Sequence, residues 1–353
     1  MNSITNGPGR LLGPASILQS PAWFRFQHRL GRTVHRLSGS GWWALVVVER
    51  TRAGSLWYVP YGPILDDPAT LPRVLDELTM RARERGAAWL RLEPQSPATA
   101  DSDFAAATER QTRTHDALSS ALHAHGAYRA PRDIQPALTR WVDLTPAPEK
   151  ILSAMTGTNR NLWRRHRDKG IRIEHTTDPG GAEAVVELLH RTAGQRGFTP
   201  HTANYLRTAA RALAEDGTAA TYTSSVGDTI VSAILVYDSP TTRVFAHSGM
   251  DPAYRKLRPN QPLIAQALLD AAARGQRVGD LFGVAPENEP QHPWAGFSGF
   301  KRSFGGTDVP LGGTWDVPVS QARYRTYRLA RSARNRVYSI VARPVASSVR
   351  ATR

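Results

Sequence analysis

The chain has 353 residues, with 45 Lys and Arg against 30 Asp and Glu, a formal net charge of +15 and no cysteine. That length suits two domains with hydrophobic cores, and a composition of 41% apolar and 21% charged residues excludes an intrinsically disordered chain. Without cysteine there are no disulfides, thiolate nucleophiles, cysteine-ligated zinc sites or iron–sulfur clusters, which fits a reducing compartment.

Residues 1–20 show no cationic stretch followed by an apolar one, so no signal peptide is expected. The longest apolar runs, 42–48 and 230–237, fall far short of the ~20 residues that a membrane-crossing helix needs. A cytoplasmic protein is expected. In chain order, short runs rich in branched and aromatic residues predict strands at 42–49, 55–60, 88–93, 140–144, 220–224, 229–237, 243–247 and 278–282. Helices are predicted at 69–85, from Leu71, Val74, Leu75, Leu78 and Ala82; at 182–195, from Val185, Leu188 and Leu189; and at 261–274, from Leu263, Ile264, Ala267, Leu268 and Ala271. Gly86 and Gly275 stop the first and third of these. Mixed strands and helices predict an α/β or α+β architecture.

A faint internal repeat runs through these elements. SLWYVPYG, a helix ending at Gly86 and AAWLRLEP parallel TTRVFAHSG, a helix ending at Gly275 and QRVGDLFGV. Two domains of related fold are expected, with proline punctuation near 135–148 marking the boundary. The expected division is a first domain over 1–142, a second over 143–314, and a basic C-terminal segment over 315–353 that returns to the first.

The positive charge is concentrated. Residues 1–50 hold six Arg and one Glu, residues 159–172 hold five Arg and Lys169 against Asp168, and residues 317–353 hold nine Arg and no acid. The rest of the chain is slightly acidic. Such basic regions suit a polyanion: RNA, an anionic membrane surface or a phosphorylated substrate. Solvated helix faces would produce the same runs. In the tail, Arg alternates with a weak apolar stripe of Tyr324, Tyr327 and Ala330, so a helix there would carry a cationic face.

There is no GxxxxGK[ST] phosphate loop, no HExxH and no GxSxG. The stretch AYRKLRPNQPLIAQALL is where a CoA-dependent acyltransferase would place a glycine cradle for the pyrophosphate, and it contains no glycine. This counts against a CoA donor. The chain has only four lysines: Lys150, Lys169, Lys256 and Lys301. Lys301 lies among aromatics in FGVAPENEPQHPWAGFSGFKRSFGG, where a fixed cation can stabilise a developing oxyanion. An ordinary surface lysine remains the alternative.

Several further segments stand in a telling order: ILQSPAWFRFQHRLG, LWYVPYGPILDD, WLRLEP, IQPALTRWVDLTPAPEKILSAM with NRNLWRRHRDKGIRIE, HRTAGQRGFTPHTANYL, and GDLFGV with GFSGFKRSFGG. From Ile17 to Thr314 the chain resembles the Fem-type (FemABX) aminoacyltransferases, which build the interpeptide bridges of peptidoglycan. The resemblance implies two tandem N-acetyltransferase-like (GNAT-like) domains, an aminoacyl-tRNA donor, and an amine acceptor on a muropeptide or lipid-linked precursor. It implies no cofactor and no metal, because the tRNA ester is already activated. It gives Phe300 and Lys301 as the catalytic pair, with Glu93 as a candidate to orient or deprotonate the acceptor amine, or else a salt-bridged strand-end acid. It also implies acceptor-binding roles for Gln27, Tyr61, Thr199, His201, Tyr205 and Arg196. The basic residues Arg160, Arg164, Arg165, Arg167, Arg325, Arg328 and Arg331 are the candidates for tRNA, and the tail for peripheral contact with an anionic inner membrane face.

Two positions depart from the family pattern. Where relatives that hold a nucleotide-linked muropeptide carry phosphate-pairing cations, this chain has Gln27 and His201. Arg25, Arg29 or Arg196 would have to compensate. Otherwise the acceptor is lipid-linked, or is a small amine or peptide of natural-product biosynthesis. A non-catalytic RNA- or membrane-binding protein that kept the fold is the third reading.

Overall fold

The computed structural model describes residues 16–96, 103–196 and 199–341, without the side chains of 195, 196 and 333–341. Part of the N-terminal basic stretch and the end of the basic tail therefore lie outside the described residues. The first part of the chain runs α1 (Pro21–Arg29), β1 (Thr33–Gly39), β2 (Trp42–Thr51), β3 (Gly54–Val59), β4 (Ile64–Leu65), α2 (Leu71–Glu84), β5 (Ala87–Leu92), α3 (Phe104–Ala124) and β6 (Tyr128–Arg129). There follow β7 (Leu138–Asp143), α4 (Pro148–Ala154), α5 (Gly157–Arg164), β8 (Ile171–Thr176), α6 (Ala182–Arg196), α7 (Ala203–Ala214), β9 (Ala219–Val226), β10 (Thr229–Asp238) and β11 (Thr242–Met250). The remainder is α8 (Asn260–Ala273), β12 (Val278–Gly283), α9 (Ala295–Arg302), β13 (Thr307–Pro310), β14 (Trp315–Pro318) and α10 (Gln321–Val341).

These strands form two sheets. The first has the order β1-β2-β3-β5-β14-β6, with β4 on β2; the second has the order β13-β7-β12-β11-β10-β9-β8. Each contains one parallel pair of strands, β3 with β5 and β11 with β12, and the other strand pairs are antiparallel; Ile64 of β4 also makes a single parallel bridge to Gln95. A parallel pair needs a crossover, and α2 and α8 supply it. Both helices are followed by a left-handed glycine, Gly86 at φ 70° and Gly275 at φ 81°, where a side chain would be strained. The faint repeat in the sequence is thus one β-α-β crossover used twice.

The expected division at 142/143 falls inside β7. All of β7 pairs in the second sheet, with β12 and β13, so the chain passes between sheets at 130–137. After β13 it returns, and β14 lies between β5 and β6 in the first sheet.

The two sheets share a core. On β2, Ala44 and Val46 face α2, whereas Leu45 and Val47 face α1. The helix α1 in turn buries Ala22, Trp23 and Phe26 against Ala209, Ala210 and Leu213 of α7. Its start is well specified: Ser20 accepts the Trp23 N–H and Pro21 occupies the first turn. Gln19 fixes the approach, giving Nε2 to the Pro60 carbonyl at 2.6 Å and taking the Leu45 N–H at 2.6 Å. The ILQSPAW segment therefore wedges the halves of the molecule together.

The basic tail begins as a docked helix. Tyr324 is buried, Tyr327 stacks on Trp89 at 4.6 Å, and Arg91 on β5 pairs with Asp316 on β14 at 2.7 Å. The tyrosine stripe thus belongs to the first sheet, and the exposed Arg residues between its members make up the cationic face.

Candidate active site

Lys301 sits on α9, which follows an irregular end of β12. The register of β12 against β7 slips between Asp280 and Gly283, and Phe282 adopts φ 66°. The Lys301 Nζ donates to the Gly283 carbonyl at 2.7 Å and lies 5.0 Å from the centroid of the Phe297 ring. A side chain at 283 would meet Trp294 at 2.5 Å, so glycine is required beneath the lysine. Burial pushes the Lys301 ammonium down to about 8, while the Asp280 carboxylate nearby opposes that shift. Phe300 points elsewhere, packing edge-on against Phe304 at 5.3 Å in the second core.

Beside Asp280 the strands β11 and β12 part. Their pairing ends at Val244 and Asp280, although β11 continues to Met250. The gap opens into a cavity of about 260 Å³ between the two sheets, walled by Trp23, Tyr61, Trp141, Tyr205, Tyr237 and Phe282. Asp280, His201 and His247 also line it, and no Lys or Arg does among the described residues. Burial lowers His247 to about 3 and lowers His201, with the Arg32 charge adding to the latter, so both rings are neutral. Burial likewise raises Tyr205 to about 12. Two wall hydroxyls, Tyr237 Oη and Thr242 Oγ1, are buried without a hydrogen-bond partner.

Glu93 is not in that wall. Fully buried at the end of β5, its carboxylate accepts from Tyr58 Oη at 3.1 Å, Tyr61 N at 3.0 Å, Gln135 N at 3.0 Å and Thr314 Oγ1 at 2.6 Å. Burial raises its pKa and these four donors oppose the rise. Such a saturated acid ties together three segments and leaves Tyr61 in the cavity wall. Its geometry is that of a brace, neither a salt bridge nor a base open to substrate.

Among the other acceptor candidates, Tyr61, His201 and Tyr205 meet at the cavity, with His201 stacked on Tyr205 at 4.1 Å. Thr199 is exposed and outside the cavity wall. The Arg196 side chain lies outside the described residues. Gln27 is buried, and its Oε1 accepts from Arg32 Nη1 at 2.8 Å. Arg25 and Arg29 are tied to Asp216 and Glu215. Among the described residues, the cation that acts on His201 and Tyr205 is Arg32, which sequence reasoning missed.

The basic candidates also separate. Arg160 caps the end of α4 through the Ser153 and Met155 carbonyls, and Arg165 pairs with Asp168. Arg164, Arg167 and Arg325 are exposed and form no ion pair with a described residue. Arg328 lies over the Tyr128 ring, and Arg331 donates to Tyr327 Oη. A second, open hollow forms where Gly157 and Thr158 begin α5, with Lys169, Lys256 and Arg258 around it. None of these three cations is ion-paired to a described residue, so the hollow concentrates positive charge.

Two α/β domains, each with a parallel crossover, give the chain a tandem GNAT-like architecture, and residues 155–294 match the acetyltransferase (GNAT) domain. Residues 14–219, more than half of the chain, match the FemAB family, and the chain belongs to it. Among solved structures it is similar to FemX, with a TM-score of 0.74 at 16% identity over 88% of this chain and 94% of that one. It is also similar to the C-terminal domain of a putative lysylphosphatidylglycerol synthetase from Agrobacterium fabrum, with a TM-score of 0.54 at 13% identity over 86% and 89%. At these identities the likeness is one of fold. No curated protein matches the chain in sequence. No helix among the described residues is long and apolar enough to cross a membrane.

Proposed function

We propose that this acyltransferase moves an aminoacyl group from aminoacyl-tRNA to an amine of a peptidoglycan precursor, forming a peptide bond of the interpeptide bridge. FemAB membership supports the reaction class. The observation that carries the reading is Lys301, a half-buried ammonium held by the Gly283 carbonyl beside the cavity carboxylate Asp280. When the acceptor amine attacks the ester carbonyl, negative charge develops on oxygen, and a preorganised cation there lowers the barrier. Because the ester is activated, the reaction requires neither metal nor nucleotide.

The hollow of Lys169, Lys256 and Arg258, with exposed Arg164 and Arg167 near it in sequence, supports docking of the donor's phosphodiester end. Arg32 at the His201 edge supports a phosphate at the cavity rim. The cation-free wall suits the peptide part of the acceptor. A lipid-linked acceptor would bring the protein to the inner membrane face.

Purified protein should be incubated with charged tRNA and either lipid II or the nucleotide-linked muropeptide, and the products weighed by mass spectrometry. The reading expects a mass gain of one aminoacyl residue on one of these acceptors, lost in Lys301→Ala. Charged tRNA consumed with no gain on either acceptor would overturn it.

A further inference from the structure

The reaction needs a group that accepts a proton. At neutral pH an aliphatic amine arrives as R–NH3+, and only after losing one proton can its lone pair attack. Glu93 cannot serve, since four donors occupy it and it does not line the cavity. Asp280 is the carboxylate of the cavity wall. It accepts from Thr139 Oγ1, and from the Phe282 N–H at 2.8 Å. Both bonds end on Oδ1. The Trp141 indole favours the anion too, but its Nε1–H does not reach hydrogen-bonding geometry. No hydrogen bond from a described residue ends on Oδ2, and Asp280 lines the cavity.

The surroundings suit an ammonium. Aromatic walls and an anionic group attract a cation, and no Lys or Arg among the described residues lines the wall, although the Lys301 charge acts on Asp280 from beside it. We propose that Asp280 binds the acceptor's ammonium in this cavity and takes its proton as the amine attacks the ester. This rests on the transferase reading for the ester, whereas the ammonium site stands on the cavity alone.

The step balances. R–NH3+ gives one proton to Asp280. The nitrogen lone pair forms the C–N bond, and the carbonyl π pair moves to the oxygen beside Lys301. Collapse expels the tRNA 3′-oxygen, which takes the second proton from nitrogen. The products are an amide and a free 3′-hydroxyl, and Asp280 returns its proton to water.

The other titratable groups facing this one are silent near neutrality. His201 and His247 are held neutral, while Tyr61, Tyr205 and Tyr237 are held protonated by burial. Burial also raises Asp280 itself, opposed first by the Thr139 hydrogen bond. Asp280, raised above the ordinary carboxylate range, and Lys301, lowered to about 8, are left as the pair that sets the acidic and alkaline sides of the profile.

The first test needs no transfer activity. n-Pentylammonium chloride is titrated calorimetrically into wild type and Asp280→Asn; we expect binding to weaken at least ~tenfold in the variant, the scale of one charge-assisted contact. No binding by wild type, or equal binding by both, overturns the ammonium site. The second test follows transfer against pH with charged tRNA. Asp280→Asn should lose ~10²–10⁴ in kcat together with the acidic limb of the profile. An unchanged kcat overturns the proton transfer. Thr139→Val removes a bond that favours the carboxylate, so its acidic limb should move to higher pH, and this carries the test if Asp280→Asn does not fold. A fixed limb in Thr139→Val counts against the assignment. If wild type transfers nothing from any charged tRNA, the proposed function fails, while the amine titration still judges Asp280.

Discussion

The Glu93 carboxylate takes the Tyr61 amide N–H at 3.0 Å, in a turn where Tyr61 itself stands at φ 44°. A tyrosine in that left-handed region is strained, and the buried acid is what holds it there. Glu93→Ala would leave the Tyr61 and Gln135 amides buried without an acceptor. We expect it to lower stability by about 3 kcal/mol, on the scale of two orphaned donors. Urea unfolding measures this, and Glu93→Gln, which keeps one carbonyl oxygen, should lose less.

Lys301→Ala should lower kcat by ~10²–10³ with little change in the acceptor's KM, as when one oxyanion partner is removed. The pH dependence has a definite sign. The ammonium is charged below its value of about 8 and lost above it, so transfer should fall as pH rises through that range. In Lys301→Arg the charge is fixed, and whatever activity survives should lack this alkaline limb.

Arg32 lowers the His201 pKa through its charge, adding to the larger effect of burial. Arg32→Ala should therefore move the His201 titration upward by NMR, though not fully to its ordinary value. If Arg32 also holds an acceptor phosphate, the same variant raises KM for the nucleotide-linked precursor and leaves the n-pentylammonium affinity unchanged.

The hollow at the start of α5 makes a prediction about salt. Replacing Lys169, Lys256 and Arg258 together by Gln should reduce the slope of log K for tRNA against log salt by about 2, since each single-strand phosphate contact contributes ~0.7. Filter binding at several ionic strengths reads this directly. A slope identical to wild type would move the donor away from this hollow.

Much of the architecture was readable because its central strands announce themselves. The runs at 42–49, 229–237 and 278–282 are mostly buried, largely apolar and bounded by turns, and each is a strand in the structure. What escaped was polar or brief. The edge strands β1 and β8 read TVHRLSG and IRIEHT, half exposed, and β6 has two residues. At the site, lysine scarcity singled out Lys301, which the structure places half-buried against the Gly283 carbonyl. Glu93 was noticed, but its donors come from as far as Thr314, 221 residues on. Arg25 and Arg29 seemed available only because their acids lie at the end of α7. Asp280 gave a signal that went unused: a lone carboxylate inside the apolar strand VGDLFG. Local pattern reports burial well, and long-range pairing decides which buried charge is spoken for.

The position of β14 bears on how the molecule is made. This strand, one of the last elements of the chain, lies between β5 and β6 in the sheet that begins at Thr33. During synthesis one edge of β5, at Trp89 and Leu90, has no strand to pair with until Trp315–Pro318 is made, while β3 covers the other edge. The second half, closed by β13, is complete first. A chain that stops before Trp315 therefore holds every strand of the second sheet but lacks the strand that fills the gap between β5 and β6 of the first.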